Sequence, residues 1–257
     1  MVPKTPGESG VHNSQPMSQI FLTIYREFLY RPFFNALVYL TALIPGHDIG
    51  IAIVVLTILV RILLFPLTHR SLLTQIKMKA LEPEINRIKA ETKNKGDEGA
   101  KKIMELYREH GVSPLMGCLT LFIQLPILIA LYQVFWHGIS LSGTEFYSFV
   151  SLPSFVNSMF LGLIDMGKPS LILAFLAAAS QFLQMKLAFP EIPKRGEGFK
   201  EEMSRAMAIQ SKFVFPLIIF YISTRFPAAL ALYWTVTNVF ATVHESLVRM
   251  RARSLTK

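Results

Sequence analysis

Apolar residues in this chain come in long unbroken runs rather than in the one-sided stripes of a soluble helix, and the length of the runs says what they do. A hydrocarbon core about 30 Å thick is crossed by roughly 20 apolar helical residues at about 1.5 Å each. Three windows meet that length, at residues 49–67, 115–135 and 170–189, the first interrupted only by Arg61. Two further runs, 213–224 and 227–243, are separated by Arg225, Phe226 and Pro227, which predicts a tight helical hairpin. The earlier of these two holds about 12 apolar residues and reaches only about 18 Å. Either Lys212 snorkels there or the bilayer thins.

The remaining segments are cut by charge and proline. Residues 18–44 are apolar and aromatic, but Arg26, Glu27, Arg31 and Pro32 divide them. That pattern predicts an amphipathic helix lying in the membrane interface and bent at Pro32, with a sixth span as the alternative. Residues 1–17 carry one lysine, several Pro, Gly and Ser residues and no apolar core, so we expect a disordered tail and neither a signal peptide nor an organellar transit sequence. Residues 71–111 are rich in Lys, Glu, Leu, Ile and Met with a break at 94–99, which predicts a helix, a turn and a helix. Pro83 should bend the first arm or mark its restart. The mixed charges suit either a merely solvated face or a docking arm projecting from the membrane.

Composition agrees with this pattern. The chain is 52% hydrophobic with a mean hydropathy of +0.42, more apolar surface than one soluble core of 257 residues needs. Its net charge of +9 sits beside the apolar runs, so an anionic membrane surface is a simpler partner than nucleic acid. Cys118 is the single cysteine, which excludes a disulfide framework or a thiolate metal site. Most of the 26 basic residues fall between the first and second runs, between the third and fourth, and after the fifth. By the positive-inside rule those segments are cytoplasmic, which places the N-terminus outside and the C-terminus inside.

The fold class expected is therefore all-α: a polytopic membrane protein of five transmembrane helices, at about 49–67, 115–135, 170–189, 209–225 and 227–247. The core at 49–248 includes the cytoplasmic hairpin at 71–111, follows the interfacial helix at 18–44 and ends in a short basic tail at 249–257.

Arg61 is the most informative residue. A charge within hydrocarbon costs from roughly 3 kcal/mol to 10 or more, so something must offset it. Snorkelling to the cytoplasmic end is one answer. A water-accessible cavity inside the bundle is the other, and polar residues on four spans support it. Thr57 lies one turn before Arg61 on the same face, Gln124 is the lone amide of the second span, Gln181 and Gln184 are three apart in the third, and Thr235, Asn238 and Thr242 recur at helical spacing in the fifth. Such stripes also serve as interhelical glue. The spans offer Arg61 no Asp or Glu, so the cavity should keep a positive charge and attract anionic groups. The six histidines lie at segment edges or in loops without a metal or catalytic spacing, and no glycine-rich phosphate loop is present.

The sequence resembles the YidC/Oxa/Alb family of membrane insertases over roughly residues 49–245. The resemblance rests on the arginine of the first span followed by F-P-L-T at 65–68, L-E-P-E-I at 81–85, Y-R-E-H-G-V-S-P-L-M-G-C-L at 107–119, I-Q-L-P-I-L-I-A-L-Y at 123–132 and F-P-A-A-L-A-L-Y-W-T-V-T-N at 226–238. Thr120 and Ala229 depart from residues common in the family without removing a functional group. It looks like a minimal bacterial form, of the plasma (inner) membrane. The resemblance implies a hydrophilic groove open to cytoplasm and lipid, closed to the outside, with Arg61 at its centre. Thr57, Gln124, Gln181, Gln184, Trp234, Thr235 and Asn238 would line it. Glu82, Pro83, Glu84, Tyr107, His110 and Gly111 would mark the docking hairpin. Implied partners are nascent membrane proteins and the lipid bilayer, then the ribosome, a Sec-type translocase and signal-recognition machinery. No cofactor is implied, and the activity is energy-independent insertion rather than enzymatic catalysis. The competing classes are a lipid scramblase and a non-catalytic assembly subunit of a larger translocase.

Overall fold

The structure is a computed structural model that describes residues 16–92, 96–113, 124–134, 146–150, 153, 155–188 and 205–254. Residues 1–15 of the tail expected over 1–17, Cys118, and the first part of the second predicted span lie outside the described residues. The described chain is nearly all helical. Helix α1 (Pro16–Tyr25) passes through a π-helical turn (Arg26–Tyr30) into α2 (Arg31–Leu43). Helix α3 (Ile49–Leu63) is followed by α4 (Phe65–Ala80), α5 (Glu82–Glu91) and α6 (Gly96–Glu109). Then come α7 (Gln124–Val134), a two-stranded β-hairpin (β1, Met159–Phe160; β2, Ile164–Asp165), α8 (Leu171–Ala188), α9 (Arg205–Ser223) and α10 (Ala228–Ser254).

Four prolines shape the helices, in two ways. Pro32 and Pro216 each follow a π turn: Arg31 N–H donates to the Arg26 carbonyl, and Phe215 N–H to that of Gln210. A widened turn makes room for a ring that would strike the carbonyl four residues back, so the helix continues through the proline. Pro32 therefore marks a π turn, not an interruption. Pro66 and Pro83 instead sit in the first turn of new helices, after Leu64 and Leu81, both at φ −82° and ψ −4°. Leu67 and Thr68 both donate to the Leu64 carbonyl, and α4 leaves α3 at 63°. The first apolar run is thus broken at Leu64. Its membrane-directed part, α3, is 15 residues long, about 22 Å at 1.5 Å per residue.

Helices α8 and α9 are each long and apolar enough to cross a membrane, and the bent α3–α4 pair is a third candidate; α7 is a shorter apolar helix. Helix α10 packs against both α3 and α8. The core is made of Leu37 and Val38 of α2, Ala52 and Ile53 of α3, Leu131 and Val134 of α7, Ala177 of α8, Ile219 of α9, and Ala228 and Ala231 of α10. Alanines at the α8–α10 contact let the two backbones approach. Leu59, Leu63, Phe175, Leu183, Leu217 and Val243 point outward instead. Such exposure is expected of a lipid-facing belt.

The α4–α6 arm has a core of its own, with Leu81, Ile85, Leu106 and Val112 buried together. Its end is fixed by Gly111 at φ +61°, which lets Val112 N–H reach the Tyr107 carbonyl (2.9 Å) while Gly111 N–H reaches that of Arg108 (3.1 Å). This is the Schellman closure, and it needs a residue that accepts positive φ.

At the other end of α3, Asp48 is the N-cap. One of its oxygens accepts from Ile51 N–H at 3.1 Å, and the other accepts from Leu161 N–H at 2.7 Å, which ties the β-hairpin down. Asn157 exchanges backbone bonds with His47 and Ile49, and the carbonyls of Met166 and Lys168 accept from Ala229 and Ala228. One loop therefore caps the N-terminal ends of α3 and α10 together. Gly50 permits the fit, because a Cβ there would fall 2.4 Å from the Phe160 ring.

Candidate functional site

Three helices meet at Arg61. It lies in the last turn of α3, partly buried, and its guanidinium donates to the Gln124 amide oxygen of α7 at 3.0 Å. The Gln124 amide nitrogen in turn donates to the Tyr233 hydroxyl of α10, whose side chain is buried. A chain Arg61–Gln124–Tyr233 thus links α3, α7 and α10. Among the described residues no carboxylate pairs with Arg61. A guanidinium has five N–H donors, so one amide leaves most of its capacity unused. The C-terminal end of a helix carries roughly half a negative charge, which favours a cation in the last turn. The break at Leu64 puts Arg61 at that end, so part of its cost is offset without an acid.

A second polar contact lies between α8 and α10, where Asn238 donates to Ser180 Oγ at 3.3 Å, both residues buried. Gln181 is buried beside Ser180, and Gln184 is half-buried one turn on. Thr57 and Thr235 spend their hydroxyls on their own helices, donating to the carbonyls of Ile53 (2.6 Å) and Ala231 (2.8 Å). Trp234 is half-buried against the core. Of the residues singled out in the sequence, the structure joins Arg61 directly to Gln124, and places Asn238 on Ser180. Tyr233 was missed. A phenol amid A-L-A-L-Y-W carries no charge to flag it, and its role shows only when α7 lies against α10.

One sequence expectation needs correction. The fifth predicted span does contain an acid: Glu245 is buried in α10, and it accepts from Arg249 at 2.7 Å, four residues on. It is neutralised within its own helix and does not reach Arg61. Helix α10 runs on to Ser254, so Arg249 and Arg251 of the basic stretch at 249–257 lie within the helix. Two of the histidines meet across the fold. His69 Nδ1 and His244 Nε2 are 3.1 Å apart, and Phe65 packs on both rings, joining α4 to α10 just past the break.

In the arm, Glu82 and Glu84 occupy the first turn of α5, where acids complement the helix dipole, with Pro83 between them. His110 Nδ1 lies 2.9 Å from the Leu106 carbonyl, beside the left-handed Gly111. Tyr107 sits opposite Glu82. Burial, and then that carboxylate, push its hydroxyl above the usual phenol pKa.

Residues 39–254 match the family model described as 60Kd inner membrane protein. The chain is 35% identical over 201 residues to a protein of Fusobacterium nucleatum named membrane protein insertase YidC, covering 78% of this chain and 86% of that one. It is 34% identical over 199 residues to a like-named protein of Wolinella succinogenes, covering 77% of this chain but only 33% of that longer one. Against membrane protein insertase MisCA of Bacillus subtilis it is 30% identical over 221 residues, covering 84% of this chain and 76% of that one. With a family model matched over most of its length and relatives of this similarity, the chain belongs to the 60Kd inner membrane protein family.

Proposed function

We propose that this chain is a membrane protein insertase that receives hydrophobic segments of nascent proteins from the cytoplasm and releases them into the bilayer beside a hydrophilic groove. The observation that carries the reading is Arg61, a cation in an apolar bundle held by a neutral amide and unpaired with any described carboxylate. The groove is read as the space between α3, α7, α8 and α10, lined by Arg61, Thr57, Gln124, Gln181, Gln184, Trp234, Thr235 and Asn238, with Tyr233 added. An acidic or amide-rich stretch of the incoming chain pairs with Arg61 for the passage. Its apolar helix meanwhile partitions to lipid, with Leu, Ile, Phe and Val each favourable by about 0.3–0.6 kcal/mol. The loop capping α3 and α10 seals the far end.

The chain crosses the bilayer five times, with the N-terminus outside, the C-terminus in the cytoplasm, and α1–α2 at the outer interface. Tyr25 of α1 donating to Gln133 of α7 at 3.1 Å supports that placement. The arm of α4–α6 reaches into the cytoplasm as the first contact for substrate, where ribosome, signal-recognition machinery or a Sec-type translocase would deliver it. The arm's separate core supports an independently moving contact. The membrane is the bacterial inner membrane.

The test is protease-protected insertion of a single-span substrate into channel-free proteoliposomes. Arg61→Ala should lose at least tenfold in yield, Arg61→Lys should retain most of it, and neutralising the acids of the substrate tail should shrink the gap. Equal yields from Arg61→Ala and the wild type would defeat the electrostatic reading. A wild type no better than empty liposomes would defeat the insertase reading itself.

A further inference from the structure

The turn between β1 and β2 presents two leucines where polar residues are usual. Leu161 has φ +51° and is 61% exposed, Gly162 has φ +72°, and Leu163 is 80% exposed. Positive φ at a tight turn favours Gly, Asn or Asp, so a leucine there keeps an apolar side chain at a position its backbone disfavours. The turn itself is firmly built, with Leu163 N–H on the Phe160 carbonyl (2.9 Å) and Leu161 N–H on Asp48 (2.7 Å). A fixed turn that exposes leucine on both sides of its glycine has something apolar to meet.

Its surroundings say what. Eight residues after Leu163 the chain enters α8 at Leu171 and Ile172, both exposed at the start of a helix apolar enough to span a membrane. Leu43 at the end of α2 and Phe155 near His47 are exposed at the same end. The leucine turn thus continues the apolar belt of the spans upward to the bundle's rim. Between that turn and α8 the chain carries a polar pair, Lys168, 80% exposed, with Asp165 at 3.2 Å, which suits headgroups.

We propose that the β1–β2 turn is a lipid anchor, with Leu161 and Leu163 immersed at the headgroup–acyl boundary of the leaflet around the N-terminal end of α8. The occupant of the surface is the bilayer that holds the bundle. The anchor fixes the depth of the cap, and through Asp48 that of α3. This rests on the bundle spanning a membrane, and on neither Arg61 nor insertion activity.

The test uses the full chain with Cys118→Ala, carrying Leu163→Cys, Phe175→Cys as a lipid-facing reference or Arg87→Cys as an aqueous one. Each is labelled with a small fluorophore and reconstituted into phosphatidylethanolamine–phosphatidylglycerol vesicles with iodide on both sides. At Leu163 we expect iodide quenching several-fold weaker than at Arg87, and stronger quenching by lipids brominated near the carbonyl end than by those brominated deep in the tail. Adding Leu161→Asp should restore iodide access at Leu163. Quenching by iodide equal to that at Arg87 overturns the proposal. So does protection found in native membranes but absent in pure lipid, which would assign the turn to a protein partner. If Phe175 too is open to iodide, the bundle is not embedded, and the membrane reading fails rather than the anchor alone.

Discussion

Asp48 is a test of whether the loop that caps α3 and α10 is held by one side chain. Its two carboxylate oxygens serve two separate N–H groups, Ile51 at the start of α3 and Leu161 in the hairpin, and Asp48 is buried at 6% exposure. In Asp48→Ala the helix loses its cap, at about 1 kcal/mol. The Leu161 N–H also loses its acceptor, at about 1–3 kcal/mol for a group removed from water. Together these come to about 2–4 kcal/mol. Asp48→Asn separates the terms, since asparagine caps as well as aspartate but has one acceptor oxygen for two donors. That leaves a loss of about 1–3 kcal/mol, carried by whichever N–H goes without. At about 1.4 kcal/mol per tenfold, local opening of the hairpin should rise roughly fivefold to a hundredfold in Asp48→Asn, and further in Asp48→Ala. Amide hydrogen exchange read by mass spectrometry on peptides covering 157–168 and 49–53 reports this directly, because exchange follows the opening free energy. Wild-type protection in both peptides of Asp48→Asn would show that the second oxygen holds nothing, and the clamp would be refuted.

Two further outcomes follow from the same geometry and from the arm. Gly50→Ala places a Cβ 2.4–2.6 Å from Phe160 Cδ2, Cβ and Cγ. The root of the side chain must move along with the ring, so thermal unfolding in detergent should show a loss of about 1–3 kcal/mol, and Phe160→Ala in the same chain should return part of it. Tyr107 ionises above the ordinary phenol range because of burial and then Glu82. The unfolded tyrosine therefore gives up its proton first as pH rises, so its contribution to arm stability is intact below about pH 10 and falls above it. The absorbance titration at 295 nm, taken as wild type minus Tyr107→Phe, should show this high pKa, and Glu82→Gln should lower it; an unchanged midpoint would remove Glu82 as a cause.

What could be read from the sequence was what costs most in lipid. A charge and a lone amide in apolar runs are expensive enough to mark themselves, and Arg61 and Gln124 do form one contact. Family motifs were legible over the same stretch. Tyr233 was not, since its ring belongs in an apolar bundle and only its hydroxyl takes part. Glu245 was overlooked because it falls past the apolar run at 227–243 yet inside the span expected at 227–247, whose end separates it from Arg249 although one helix joins the pair. The β-hairpin carries no periodic signal: its strands are two residues each, and pairing is fixed by Asp48 over a hundred residues earlier in the chain. The break at Leu64 lay behind a hydrophobic pattern that runs straight through Pro66, because apolarity is continuous where the backbone hydrogen bonds are not.

That break also changes how the arginine should be understood. Read as one long span, the first apolar run puts Arg61 within hydrocarbon, and its burial requires either a long reach to water or a water-accessible cavity in the bundle. With α3 ending at Leu63 and α4 turning away by 63°, the same residue stands at a helix terminus. There the dipole favours it by about 0.3–1 kcal/mol, rising toward 2 where partly buried, and Gln124 adds a charge-assisted bond worth about 1.5–3 kcal/mol. These terms approach the lower cost of roughly 3 kcal/mol for a central arginine, and none of them cancels its charge. An acid in the same place would stabilise the resting bundle more, but it would also occupy the cation that, in the proposed function, meets a passing anionic segment. Holding Arg61 with a dipole and an amide keeps the bundle folded and the charge available, and Pro66, by ending α3 two residues after it, is what makes that arrangement local to the chain.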